Sequence, residues 1–220
     1  MASASTQSTK AEDAGLIAAL VIEDGIAGHS LLRRLATPGA AGRDLADAVH
    51  ALCSVHGRLT DVFEEAAQRS VAALDNRWIA VANAAFQDER AYLAHLTAAV
   101  GPLPSTPGQA ESDAAFAALR HTFDMLARSD RAGCSTGAAL ALVIDWHAFR
   151  TILDAAAHRA GSPVTPSQLP ALAETESIAV AHGANAAVRR AMAFGAQQTF
   201  AQHRGLCDLI EARANARDRL

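Results

Sequence analysis

Lysine is nearly missing from this chain. Lys10 is its only one; every other basic residue among the 19 is arginine, set against 23 acidic residues for a formal charge of −4. No run of basic residues occurs, which argues against a nucleic-acid-binding surface. The arginine bias fits a GC-rich coding sequence and is no phosphate-binding signal in itself. Aromatic residues make up only 5% of the chain, so a core must be assembled from Leu and Ala with closely approaching backbones. Val, Ile and Thr are sparse, while Ala is about a quarter of the chain. That balance favours helix over strand.

Cysteine is scarce too. Cys53, Cys134 and Cys207 are odd in number, widely spaced and free of any C-x-x-C pair, which argues against a disulfide framework and suits a reducing cytoplasm. They read as small core residues. Long apolar runs are lacking. The longest uncharged apolar stretch, Ala132 to Ile144, falls short of the roughly 20 residues a membrane-spanning helix needs. Leu16 to Ile22 is short and runs straight into Glu23-Asp24, so it reads as helix rather than as a signal peptide. Also absent are G-x-S-x-G, H-E-x-x-H, G-x-x-x-x-G-K-[ST] and G-x-G-x-x-G, the short signatures of common hydrolase, protease and nucleotide sites.

What is present is helical periodicity. Arg131 to Gly161 contains no proline, and Leu142, Trp146, Phe149 and Leu153 recur in it at helical spacing, marking a helix buried along one long face. Gly133, Ser135, Gly137, Ala138 and Ala141 would let a neighbouring helix approach closely. This is the expected central helix of an all-α, single-domain antiparallel bundle of six or seven helices spanning residues 10–220, after a flexible terminus at 1–9.

The remaining helices follow from stripes and caps. Thr9-Lys10-Ala11-Glu12 fits a capping box opening a helix to about Leu35. Thr37-Pro38-Gly39 breaks the chain. A second helix, about Arg43 to Leu74, carries Leu45, Val49, Leu52, His56, Leu59 and Phe63, with a possible break at Gly57. Asp75-Asn76 is a turn or N-cap signal before a third helix reaching Val100. The prolines of Gly101-Pro102-Leu103-Pro104 stop that helix. Thr106-Pro107-Gly108-Gln109 is a second capping box, with Pro at the first helical position, and Thr165-Pro166-Ser167-Gln168 repeats it. Gly183-Ala184-Asn185 divides the last segment in two. Short connections favour an up-and-down order.

Ionisable residues interrupt the apolar stripes. Glu23 sits among Ala19, Leu20, Ile26 and Ala27; His56 lies between Leu52 and Leu59; Glu89 lies between Phe86 and Leu93. Asp145 and His147 stand on the central helix, two residues apart and so facing different ways. Each lies near the middle of its expected helix, at a height where antiparallel helices bring midpoints together. Two carboxylates with imidazoles inside a bundle are what an iron or manganese carboxylate centre requires. Glu23, His56, Glu89, Asp145 and His147 are therefore the candidate metal ligands. The competing assignment is hydrogen bonding to Arg, Ser or Trp, with Arg33, Arg34, Arg77, Arg120 and Arg150 available. Asp154 and His158 have ligand spacing but lie nearer the helix end. His182 and His203 read as ordinary amphipathic-helix residues.

That arrangement is similar to ferritin-like and haem-oxygenase-like iron proteins. It departs from the ferritin-like Glu-x-x-His pair, since only Asp47-Ala48-Val49-His50 approaches it. Separately, GPLPSTPGQ followed by RAGCSTGAALALVIDW resembles an uncharacterised family of Ala-rich helical bacterial proteins over about residues 76–160, and that resemblance implies no activity. The resulting expectation is a soluble, cytoplasmic, non-catalytic bundle that binds a protein partner or a small apolar ligand and forms a homo-oligomer, most simply a dimer. No membrane or nucleic-acid partner is expected. The alternative is a metal-dependent oxidase or oxygenase using iron or manganese at the residues named above.

Overall fold

The computed structural model describes residues 19–57, 61–69, 73–181 and 185–219. Among them are eight α-helices and no strand: α1 (Ser30–Leu35), α2 (Gly42–His56), α3 (Asp61–Arg69), α4 (Ala73–Ala99), α5 (Gln109–Ala127), α6 (Cys134–Ala160), α7 (Leu172–Ala181) and α8 (Ala186–Arg217). Residues 19–24 are also helical, and Ile26–Gly28 form one 3-10 turn. The all-α expectation holds.

The central helix is α6, which packs against all seven other helices. Its buried residues run without a gap from Cys134 to Trp146, as its uncharged start requires. The small residues meet their expected partner in α8. A Cβ added at Gly137 would overlap the Met192 carbonyl, and one at Gly195 would overlap the Cys134 carbonyl. The two backbones therefore touch, a contact that only glycine permits on either side. Such an approach lets an Ala-rich, aromatic-poor sequence reach the density of a packed interior.

Contact pairs give the directions. Gly133 meets Val188, Gly137 meets Met192 and Asp145 meets His203, so α6 and α8 run parallel. Glu89 meets Trp146 and Tyr92 meets Asp154, so α4 runs the same way. By contrast α2 opposes α8, with Asp44 beside Arg217 and Asp47 beside Arg213. The chain descends between α6 and α8 through residues 162–171 and α7: Thr165 O accepts from Arg150, and Pro170 O receives His147. The up-and-down order is kept, and the descending limb accounts for the parallel pair.

Several local expectations are corrected. The first helix is not continuous to Leu35: Gly25 adopts an extended conformation, the 3-10 turn follows, and His29 then caps α1 by accepting from the Leu31 N–H. The Thr9 capping box lies outside the described residues. Helix two does break, with Gly57 as the C-cap of α2 and its carbonyl held by Arg90 at 2.8 Å. Asp75-Asn76 falls inside α4 instead of opening it. Thr106 does not cap α5, because Gly108 in a left-handed conformation is the N-cap; Thr106 and Gln109 turn to two arginines of α8 instead. After Thr165 the chain forms no helix until Leu172, since a residue preceding proline disfavours helix. Asn185 is the N-cap of α8, accepting from Ala187 and Val188 N–H groups.

Candidate functional site

Three buried polar clusters interrupt the core, and each carboxylate in them has a definite partner. Glu89 of α4 is buried, and its Oε2 accepts from Trp146 Nε1 at 2.9 Å and from Arg150 at 3.0 Å. Arg150 lies one turn beyond Trp146 on α6, so one helix face supplies both donors. Its guanidinium also reaches Asp154 at 2.9 Å and stacks 4.3 Å over the Tyr92 ring. The Tyr92 hydroxyl donates to Asp154 at 3.1 Å. Burial, and after it the Asp154 charge, raises the Tyr92 phenol above its ordinary range, so it stays a neutral donor.

The second cluster ties the end of α8 to the start of α2. Arg213 forks onto Asp47 through Nε and a terminal nitrogen, at 3.1 and 2.7 Å. Arg217 spans Asp47 at 2.7 Å and Asp44 at 2.8 Å, and Arg34 adds a further bond to Asp44 at 2.8 Å. Burial alone would raise the Asp44 carboxyl; the hydrogen bonds and charges of Arg217 and Arg34 outweigh it and hold the group below its ordinary value. Thr106 Oγ1 accepts from both α8 arginines. Carboxylates in the first turns of α2 also face the positive end of its dipole.

The third cluster lies at the centre. Asp145 Oδ1 accepts from the Ile26 N–H at 3.1 Å, and Oδ2 accepts from His203 Nδ1 at 2.8 Å. His203 stands 5.1 Å, ring centre to ring centre, from His56. Phe123 lies 5.2 Å from each imidazole, and Trp146 meets His56 edge-on at 5.3 Å. Both histidines have no exposed surface. Burial, and after it the neighbouring His203, pushes the His56 imidazole well below the usual histidine range.

The five candidate ligands are thus distributed, not gathered. His56 and Asp145 share the central cluster through His203. Glu89 is bound to the adjoining Trp146 and Arg150. Glu23 is exposed, and Arg204 holds its backbone carbonyl at 2.7 Å. His147 is half-buried on the far side of α6, against the Pro170 carbonyl at 3.0 Å. Asp47 and His50 also separate, His50 reaching the Gly101 carbonyl at 2.9 Å. Among the described residues no three His, Cys, Asp or Glu side chains form a group that could hold a metal ion. The three cysteines are free, with Cys134 and Cys207 buried and Cys53 partly so.

Sequence reasoning gives His203 no fixed partner and passes over Arg213 and Arg217. The available signal is spacing: His203 shares a face with Phe200, Leu206, Cys207 and Ile210, and Arg213 and Arg217 continue that face one and two turns later. All of these are buried.

At the surface, a cleft of about 530 Å³ opens between the Thr37–Ala40 turn and the second half of α6. Its apolar lining includes Ala36, Pro38, Leu45 and Ala155, with Asp154, His158 and Arg159 as its ionisable residues. Asp154 is committed to Arg150 and Tyr92. The side chains of His158 and Arg159 have no hydrogen-bond or ion-pair partner among the described residues.

The sequence profile of the family of unknown function DUF6975 matches residues 21–218. The chain belongs to that family. No curated protein and no solved structure matches the chain. The family match spans every cluster described above, from the Ile26 N–H to Arg217. Among the described residues, no helix is long and apolar enough to cross a membrane.

Proposed function

We propose that the chain is a non-catalytic binding protein whose ligand is a small apolar molecule carrying an acidic group, held in the cleft between the Thr37–Ala40 turn and α6. The observation that carries this reading is the unpaired Arg159 on a concave, largely apolar wall. The cleft's volume lies within the range of small-molecule sites, which are apolar with a few polar groups that set orientation. Arg159 offers a fixed positive charge and a fork that matches a carboxylate. His158 beside it adds a second donor. The dipole of α6 also favours cations at its C-terminal turn, which explains their presence without opposing their use.

The non-catalytic part of the reading rests on the interior. Glu89, Asp145 and Asp47 are each spent on partners within the fold. Among the described residues, Asp145–His203 has no hydroxyl or thiol in hydrogen-bond contact to activate, and both rings of the central cluster are sealed from solvent.

Calorimetric titration with octanoate and with octanol tests the proposal. Octanoate should bind the more tightly, and Arg159→Gln should erase that preference while leaving thermal unfolding unchanged. Equal binding of the two, or an octanoate preference that survives Arg159→Gln, would overturn it.

A further inference from the structure

The cleft beside α6 carries charge of both signs, and the two signs stand apart. Among the described residues Arg150 is the only cation paired with either Glu89 or Asp154, so one positive charge serves two carboxylates. The Glu89 side chain is 2% exposed and that of Asp154 34%. The excess negative charge therefore sits where solvent reaches it, at Asp154 on the cleft wall. Both partners of Asp154 meet the same oxygen: Arg150 at 2.9 Å and the Tyr92 hydroxyl at 3.1 Å, each on Oδ1. Oδ2 has no partner among the described residues, which leaves an acceptor open to a ligand.

Arg159 marks the other end. It follows Asp154 by five residues on α6, about 7.5 Å further along the helix axis. Its side chain runs past the start of α2, where a methyl group added to Gly42 would lie 3.5 Å from Arg159 Nε. Between the two charges the α6 wall is Ala155, faced by Ala36, Pro38 and Leu45.

We propose that the ligand of this cleft is an aliphatic ω-amino acid, with its ammonium on Asp154 Oδ2 and its carboxylate on Arg159. The inference rests on the acidic-ligand reading above and narrows it. An ammonium supplies the positive charge that Arg150 alone does not, together with three donors. The carboxylate takes the guanidinium fork, and the methylenes lie on the apolar wall between. Spacing sets the length: about five methylenes cover the axial separation of the two residues. An α-amino acid carries both charges at one carbon and reaches only one end of the cleft. A simple fatty acid reaches Arg159 and leaves Asp154 unmet.

Calorimetric titration of the full chain with hexanoate, 6-aminohexanoate and 2-aminohexanoate tests the assignment. 6-Aminohexanoate should bind about fivefold tighter than hexanoate, the size of a part-exposed ion pair. 2-Aminohexanoate should bind no tighter than hexanoate. These comparisons use the wild-type chain and do not depend on how any variant folds. Asp154→Asn keeps the Oδ1 acceptor for Arg150 and Tyr92, and it should abolish the 6-aminohexanoate advantage while hexanoate still binds. Equal binding of hexanoate and 6-aminohexanoate, a 2-aminohexanoate as tight as 6-aminohexanoate, or an advantage that survives Asp154→Asn would each overturn the proposal. Any of these results beside an intact preference for octanoate over octanol overturns this inference alone. Loss of the octanoate preference overturns the acidic-ligand reading and this inference with it.

Discussion

Arg213 grips Asp47 through two nitrogens although the residues lie 166 positions apart. The pair joins the last turns of the chain to the first turns of α2, and both side chains are almost wholly buried. Removing one member of such a pair leaves a buried charge, which costs about 3–5 kcal/mol. Arg213→Met should therefore lower the urea midpoint sharply. The double variant Asp47→Leu/Arg213→Met should recover part of that loss, because Arg217 keeps Asp44 as its partner. A double variant less stable than the single would show that the charge pairing is not what Arg213 contributes.

The crossing of α6 and α8 makes a contrast between two glycines. Gly137→Ala forces a methyl group into the Met192 carbonyl, and overpacking of this kind costs about 1–3 kcal/mol or more. Gly205 lies on α8, where a methyl group added to its Cα would meet nothing within 4 Å. Gly205→Ala should stabilise by up to about 1 kcal/mol through helix propensity alone. Thermal melts of the two variants should shift in opposite directions; shifts of the same sign would contradict the close crossing.

Acid should weaken the fold through His56. Its imidazole is held well below 6.5 in the folded chain, first by burial and then by His203. In the unfolded chain it titrates near 6.5. Below that value the unfolded state binds a proton that the folded state refuses, so stability falls with pH, by up to about 1.4 kcal/mol per unit for one group. Above 6.5 the effect vanishes. His56→Phe should flatten the stability profile between about pH 6.5 and 5 relative to wild type, read by urea unfolding. Parallel profiles for the two proteins would remove His56 from the acid response.

Self-association is proposed through the exposed stripe of α8. Ala187, Phe194 and Ala201 recur there, two turns apart, and Phe194 is 41% exposed. Low side-chain bulk suits helix packing, and twofold pairs are the commonest homo-oligomers. Light scattering at micromolar concentration should give a dimer mass that Phe194→Glu lowers. A monomer mass for the wild-type chain would count against it.

Composition and periodicity alone determined that this chain is helical, where most helices begin and end, and which helix lies at the centre. Those properties are local. Alanine content, a stripe of apolar residues or a proline acts within one or two turns, so the sequence displays them directly. The small residues of α6 even announced a close neighbour. Stripe positions likewise placed Glu89 and His56 in the interior, and Arg150 was among the arginines available to Glu89.

Tertiary structure decided the rest, for reasons of distance and direction. Gly25 redirects the chain before α1, and Glu23 ends exposed despite its apolar neighbours in sequence. His203 lies 58 residues beyond Asp145, so its alignment with Asp145 and His56 depends on the parallel crossing of α6 and α8. That crossing depends in turn on a descending limb whose length and path no periodicity encodes. Thr106 and Gln109 satisfy the rule for a helix cap, yet they serve two arginines that arrive from more than a hundred residues away. A polar side chain takes the strongest partner that folding brings within reach, and the order of residues along a chain does not state which partner that is.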